Sequence, residues 1–255
     1  MKIQKVFNLK SKILSNKKVG EHYWHCLLET PEIANHALAG QFVSIRLSGG
    51  VIPLLRRPFS IHKVNGRNIE ILYEVIGQGT KMFSGKRTGE YLDLIGPLGN
   101  GFNYGLRTTS YESQILVAGG MGVAPMVFLA KKLSPGRTLV LIGARKKRQI
   151  LCEKEFKNLG CSVKIATDDG STGFKGKVTD LLRSLLSTIY ACGPKPMLRE
   201  VSRISKEFKI PAEISLEEHM ACGIGACLGC VVKTKTGVKR VCKEGPVFNA
   251  DEIAW

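Results

Sequence analysis

The sequence predicts a multidomain β + α/β chain. An antiparallel β-barrel or sandwich is expected over residues 1–105, a parallel α/β domain over 106–211, and a small cysteine-rich segment over 212–255. Three observations carry this. Short β-rich runs broken by turn signals fill the first part, and buried strands alternate with helical stretches in the second. Four of the eight cysteines, Cys222, Cys227, Cys230 and Cys242, crowd into the last.

In the first part the runs are Gln41–Leu47, Ile69–Ile76 and Glu90–Ile95, punctuated by Gly49-Gly50, Asn65-Gly66 and Gly96-Pro97. Short strands at such spacing suit a small closed or two-layered antiparallel fold. In the second part, strands are expected at Ile115–Ala118, Thr138–Gly143, Ser162–Thr167 and Thr188–Cys192. Helices are expected at Met126–Leu133, Glu153–Leu159, Val178–Leu186 and Pro196–Phe208. Alternation of this kind requires right-handed crossovers and a parallel sheet. The last segment is too short for an apolar core of its own, so a metal centre is expected to organise it.

Composition excludes several classes. The 44% apolar and 23% charged content is ordinary globular usage. The net charge of +17 divides as 14 Lys/Arg against 7 Asp/Glu in residues 1–100, 19 against 8 in 101–210, and 5 against 6 in 211–255. That spread argues for a solvated basic surface or anionic cofactors and against nucleic acid, whose footprint is concentrated. Met1–Val19 is Lys-rich but has no apolar core for a signal peptide. Gln114–Ala130, the longest uncharged run, holds three glycines and a proline and is too short to span a membrane. A soluble, cytoplasmic chain is the expectation.

The cysteines are the strongest signal. Cys222-x4-Cys227-x2-Cys230-x11-Cys242 has the spacing of plant-type [2Fe–2S] ligands. Gly223, Gly225 and Gly229 interleave with them and allow the backbone to wrap closely around a cluster. Structural zinc is the competing reading, but zinc sites generally pair two short Cys knuckles and Cys242 stands alone. His219 reads as an ordinary polar residue beside four sufficient thiols.

Two nucleotide signals precede it. Arg56-Arg57-Pro58-Phe59-Ser60-Ile61-His62 offers guanidinium groups that match a pyrophosphate, and Gly77-Gln78-Gly79-Thr80 offers a phosphate-contacting turn. Gly119-Gly120-Met121-Gly122-Val123-Ala124-Pro125 follows a buried strand and opens a helix, where a second pyrophosphate can rest on free amides. Cys192-Gly193-Pro194 ends another strand on the edge where open α/β sheets bind ligands. Alone, Cys192 reads as a small buried residue. Arg145–Arg148 reads as a solvated helix start that could also meet a 2′-phosphate, so NAD and NADP stay unresolved.

The order of these motifs resembles the ferredoxin reductase superfamily. The tail Leu216-Glu-Glu-His-Met-Ala-Cys-Gly-Ile-Gly-Ala-Cys-Leu-Gly-Cys230, the run Val241–Phe248 and Gly96-Pro-Leu-Gly-Asn-Gly-Phe102 are similar to electron-transfer subunits of dihydroorotate dehydrogenase B. That resemblance implies an FAD-binding β-barrel (1–105), an NAD-binding α/β domain (106–211) and a [2Fe–2S] segment (212–255). It implies FAD lined by Arg57, Pro58, Phe59, Ser60, Leu72, Tyr73, Glu74, Gly79 and Thr80. Family members often carry arginine where Glu74 stands, and glutamate supplies no such phosphate contact. Gly119, Gly120, Gly122, Cys192, Gly193 and Pro194 would line NAD(H), and the four tail cysteines would hold the cluster. No catalytic acid, base or nucleophile is implied. The implied partner is an FMN-containing subunit that oxidises dihydroorotate in pyrimidine biosynthesis, in a heterotetramer of two copies of each. Electrons would run from FMN through the cluster and FAD to NAD. Two alternatives stand beside it: a related sulfide dehydrogenase or ferredoxin–NADP reductase subunit, which would share every motif but use another partner, and a non-catalytic zinc-bearing interaction module with a vestigial α/β domain.

Overall fold

The protein is described by a computed structural model, which covers residues 5–104, 113–133, 135–182 and 187–255. The expected 105/106 domain boundary lies outside the described residues.

The first sheet is antiparallel and has seven strands: β1 (Phe7–Lys18), β2 (Tyr23–Glu29), β3 (Phe42–Arg46), β4 (Arg57–Ser60), β5 (Lys63–Asn65), β6 (Asn68–Glu74) and β7 (Tyr91–Leu98), in the order β4-β3-β7-β1-β2-β6-β5. Its two edges, β4 and β5, are joined by Ile61 and His62 alone. The sheet must therefore curl until its edges meet, and the His62 amide donates to the Glu70 carbonyl across the join. This is a barrel rather than a sandwich. A short helix, α1 (Pro31–Ala34), caps one end, and α2 (Gln78–Ser84) follows β6. Ile13, Cys26, Leu28, Ile45, Ile69, Ile71, Leu92 and Leu94 are fully buried in the barrel core.

The Lys-rich N-terminus proves to be a full strand at the heart of this sheet. Along β1, Leu9, Ser11 and Ile13 are the more enclosed positions and the lysines between them are exposed, the period of two expected of a half-buried strand.

The second sheet holds β8 (Gln114–Gly119), β9 (Thr138–Ala144), β10 (Ser162–Thr167), β11 (Phe174–Lys175), β12 (Thr188–Cys192), β13 (Ala212–Ser215) and β16 (Val247–Asn249). Its order is β11-β10-β9-β8-β12-β13-β16, and only β16 runs antiparallel. Beside it lies a hairpin of β14 (Val231–Thr234) and β15 (Gly237–Arg240). The helices are α3 (Val123–Lys132), α4 (Glu153–Asn158) and α5 (Lys195–Phe208). Val123–Ala130 are buried all round, because α3 is sandwiched between barrel and sheet. α5 buries only Leu198, Val201, Ser202, Ile204 and Ser205, and its outer face carries the Glu200–Arg203–Glu207 ion pairs. In place of the expected helix from Val178 there is a 3-10 turn over Val178–Leu182, and residues 183–186 lie outside the description.

The tail is not autonomous. β13 and β16, at its two ends, hydrogen-bond into the α/β sheet, and Leu216, Cys230, Val241, Phe248 and Ile253 join the apolar core beneath α5. The stretch Gly96–Phe102 clasps it: the Asn100 amide donates to the Gly245 carbonyl at 2.6 Å and its side chain to the Glu244 carbonyl at 2.9 Å. A Cβ on Gly99 would come within 2.5 Å of Pro246, so this contact needs glycine.

Barrel and α/β domain meet along α3 and α4. His62 Nδ1 donates to the Ala124 carbonyl (2.8 Å), and Lys63 bridges Glu70 of β6 and Glu155 of α4. Burial raises the Glu155 carboxyl, but His62 and Lys63 outweigh it and hold it down to about 2. Glu70 is lowered chiefly by His25. Both depressed carboxylates contribute stability above their ordinary value of 4.5, and that stability is lost as pH falls through their folded values. Urea midpoints measured from pH 6 down to pH 2 are expected to drop faster for the wild type than for Glu155→Gln. Parallel curves would show that the seam carriage of charge is unimportant.

Candidate cofactor sites

Three sites are built from these elements. The cluster loop spans the four tail cysteines, none of which is in a disulfide. Backbone amides are aimed at every sulfur: Gly225 at Cys242 (3.1 Å), Ala226 at Cys222 (3.3 Å), Cys242 at Cys230 (3.4 Å) and Gly229 at Cys227 (3.5 Å). Positive φ at Gly223, Gly225 and Leu228 turns the loop back on itself to do this. Arg240 locks the loop by donating to the Gly225 carbonyl (2.6 Å) while paired with Glu244. Burial raises the Cys222 thiol, but the amides of Ile224, Cys227 and Ala226 outweigh it and bring it down to about 6. Burial and the neighbouring Cys230 push Cys242 up to about 12. Four thiols gathered under convergent amides, with repulsion between buried members, fit a polynuclear cation such as an iron–sulfur cluster. Cys230 and Cys242 are buried and Cys227 is exposed, so one edge of the site faces outward.

The barrel site follows the strand alternation. Phe59 points inward against Tyr73 and Phe83, and Tyr73 stacks on Phe83 at 4.3 Å while donating to Asn16. Their side chains are core, leaving Pro58 and Ser60 on the opposite face. Arg57 packs over Gly79, where a Cβ would lie 3.1 Å from its Nε, so the guanidinium stands beside the start of α2. Thr80 Oγ1 accepts the Ile76 and Gly77 amides at 3.0 and 3.1 Å. Those two amides are consequently committed to the turn itself. Leu72 is buried, and Glu74 ends β6 facing Tyr23, whose hydroxyl is raised by burial and by Glu74.

The third site is a cleft of about 770 Å³ at the C-terminal ends of β8 and β12. β8 has β9 on one side and β12 on the other, so the chain reverses its winding direction here. Open α/β sheets bind ligands at such a switch point. Gly119, Gly120, Gly122, Gly193 and Pro194 all line the cleft. Their roles differ. A Cβ on Gly122 would lie 2.1 Å from the Cys192 carbonyl oxygen, and one on Gly119 would lie 2.8 Å from Met197. Gly120, at φ +54°, has open space in front of it. Cys192 is fully buried under Gly122 and its thiol is raised by that burial. The wall also holds Arg145, read from sequence as a solvated helix start that could meet a 2′-phosphate, and Glu74, expected beside FAD; Asp168 and Glu217 are the members that sequence reasoning passed over. Glu217 is the second residue of the Leu216–Cys230 motif, and burial raises its carboxyl.

Comparisons with known proteins agree with this layout. The family model described as the iron–sulfur cluster binding domain of dihydroorotate dehydrogenase B matches residues 217–254, and the oxidoreductase NAD-binding domain matches 116–203. A dihydroorotate dehydrogenase B (NAD(+)) electron transfer subunit from Desulforamulus reducens is 40% identical, over 99% of this chain and 100% of its own. One from Caldanaerobacter subterraneus subsp. tengcongensis is 38% identical over 98% and 99%. Among solved structures, an NADH-dependent reduced ferredoxin–NADP oxidoreductase superposes with a TM-score of 0.84 at 30% identity, covering 96% of this chain and 90% of that one. A ferredoxin NADP+ reductase from Neisseria gonorrhoeae shares the fold, at TM-score 0.67 and 15% identity over 78% of this chain and 91% of its own. With full-length identity at this level, the chain belongs to the family of dihydroorotate dehydrogenase B (NAD(+)) electron transfer subunits.

Proposed function

We propose that the chain carries electrons between an FMN-containing subunit that oxidises dihydroorotate and NAD+, using FAD and a [2Fe–2S] cluster. The observation that carries this reading is the cluster loop, with amides directed at all four cysteine sulfurs. A bound flavin supplies the exchange between paired-electron nicotinamide chemistry and one-electron cluster chemistry. The protein's own work is placement. Pro58 and Ser60 present one face of the barrel to FAD, and Arg57, Gly79 and Thr80 its rim at the start of α2, with Phe59, Leu72, Tyr73 and Glu74 setting its floor through backbone and packing. Gly119, Gly120, Gly122, Gly193 and Pro194 line the NAD(H) cleft opposite, whereas Cys192, expected beside them, is buried beneath Gly122 and takes no part in the lining. The working units are 1–105, 106–211 and 212–255.

The cluster's outward edge is flanked by exposed Ile224, Leu228 and Val231. Gly223 packs on Ser44 of β3, and the loop leaving β3 exposes Val51, Ile52, Leu54 and Leu55. Together these residues form the docking face for the catalytic subunit, in a heterotetramer with two copies of each chain. Among the described residues no helix is long and apolar enough to cross a membrane, in keeping with a cytoplasmic complex.

The test is co-expression with the catalytic subunit and assay of dihydroorotate-dependent NAD+ reduction. Leu54→Asp, at a side chain 68% exposed, is expected to leave stability within about 0.5 kcal/mol. It should weaken subunit association tenfold or more, about 1.4 kcal/mol. Unchanged association would move the docking face elsewhere. The likeness to the ferredoxin–NADP oxidoreductase structure favours a second reading, a subunit serving another redox partner. Absence of dihydroorotate-dependent turnover with a fully loaded chain would select it.

A further inference from the structure

At the seam between barrel and α/β domain, His62, Cys152 and Glu155 bring an imidazole nitrogen, a thiol and a carboxylate oxygen within 4.8 Å of one another. None of them lines the cleft or the cluster loop. Their placement follows from local structure. His62 sits in the two-residue bend that closes the barrel. Cys152 immediately precedes α4, held at φ 60°, and Glu155 is three residues on, which puts both side chains on one face.

The His62 ring is fully buried, with Nδ1 2.8 Å from the Ala124 carbonyl. A carbonyl only accepts, so Nδ1 carries a proton, and Nε2 is the nitrogen left to give its lone pair to a metal once it holds no proton of its own. That is how proteins orient a metal-binding histidine. Nε2 makes no hydrogen bond, and Glu155 Oε2 lies 3.4 Å away. A charge-assisted hydrogen bond would draw the pair to about 2.7–2.9 Å. Two ligands about 2.05 Å from a tetrahedral zinc stand roughly 3.3–3.4 Å apart.

We propose that His62 Nε2, Cys152 Sγ and Glu155 Oε2 form a zinc(II) site, its fourth position taken by water. Nitrogen and sulfur donors favour zinc over magnesium or calcium. On binding, Cys152 loses its proton to solvent, and Zn–N, Zn–S and Zn–O bonds form with no change of oxidation state. Thiolate, carboxylate and Zn2+ sum to zero charge. Lys63, which now pairs with Glu155 as well as Glu70, then pairs with Glu70 alone. Its head is a quarter exposed on a flexible stem, so the shift is accessible. Zinc would thereby tie the barrel bend to α4 across the seam.

The experiment uses full-length protein already loaded with its iron–sulfur cluster, so that the four tail cysteines are occupied. Zinc is titrated against a competing chelator, and zinc and iron per chain are measured before zinc K-edge absorption. One zinc per chain is expected, with one sulfur and otherwise nitrogen and oxygen ligands, and with iron content unchanged. Cys152→Ser and His62→Gln should each weaken binding about tenfold or more. Lys63→Met, which removes the competing ammonium, should tighten it. No zinc uptake by the wild type, a four-sulfur spectrum with loss of iron, undiminished binding by Cys152→Ser, or weaker binding by Lys63→Met would each overturn the site. Should Cys152→Ser or His62→Gln fail to fold, the wild-type spectrum and Lys63→Met decide the matter.

Discussion

Cys242→Ser is expected to abolish dihydroorotate-dependent NAD+ reduction, by more than about a thousandfold or 4 kcal/mol in barrier terms, while NADH oxidation by a soluble artificial acceptor persists. Cys242 is the buried thiol at the centre of the loop's hydrogen bonding. Its Sγ accepts from Gly225 and its amide donates to Cys230. Serine oxygen is a poor match for iron in a set of thiolates, so the cluster should be lost. The barrel and the cleft are built from other residues, so flavin content and NADH binding should survive. A visible spectrum with flavin bands but no cluster absorbance, together with both assays, checks the split. Loss of both activities together would mean that the cluster loop supports the flavin site as well. Full retention of dihydroorotate-dependent activity would remove the cluster from the route.

Gly122→Ala is expected to destabilise the α/β domain severely. The added Cβ would meet the Cys192 carbonyl oxygen at 2.1 Å and its carbon at 2.4 Å, and neither is the end of a flexible side chain. Both flanking strands are central in the sheet and cannot move apart without losing the β8–β12 ladder. Overpacking of this kind costs about 3 kcal/mol. Gly120→Ala is the control: its φ of +54° costs about 1 kcal/mol in backbone strain, but the methyl enters open space. Denaturant titration should rank Gly122→Ala well below Gly120→Ala. NADH affinity measured on the folded fraction should show the reverse sensitivity, since Gly120 faces the cleft and Gly122 faces protein. Equal destabilisation would show that strands β8 and β12 can yield.

Much of this was legible in the sequence because the signals are local. Cysteine spacing, a glycine-rich turn after an apolar run, and strand–helix alternation each lie within a few dozen residues, and those strands stand within two or three residues of expectation. The unread features are non-local. β1 hides behind lysines that mark its solvent face, although Leu9 and Ile13 keep the inward period. β13 and β16 are short, and only pairing with each other and with β12 makes them strands. Gly122 resembles a ligand-facing glycine until Cys192 is placed against it. Cys152 reads as one of the scattered cysteines, and nothing short of the fold brings His62 to it.

β13 and β16, which leave the cluster loop anchored at both ends, bear on the order in which the protein matures. The loop is an excursion between two neighbouring strands, and its return is gripped by Asn100. Translation and folding can therefore finish first, leaving a scaffold in which only residues between Leu216 and Pro246 need rearrange. Iron and sulfide would be delivered to a folded recipient whose exposed Cys227 offers the first point of transfer.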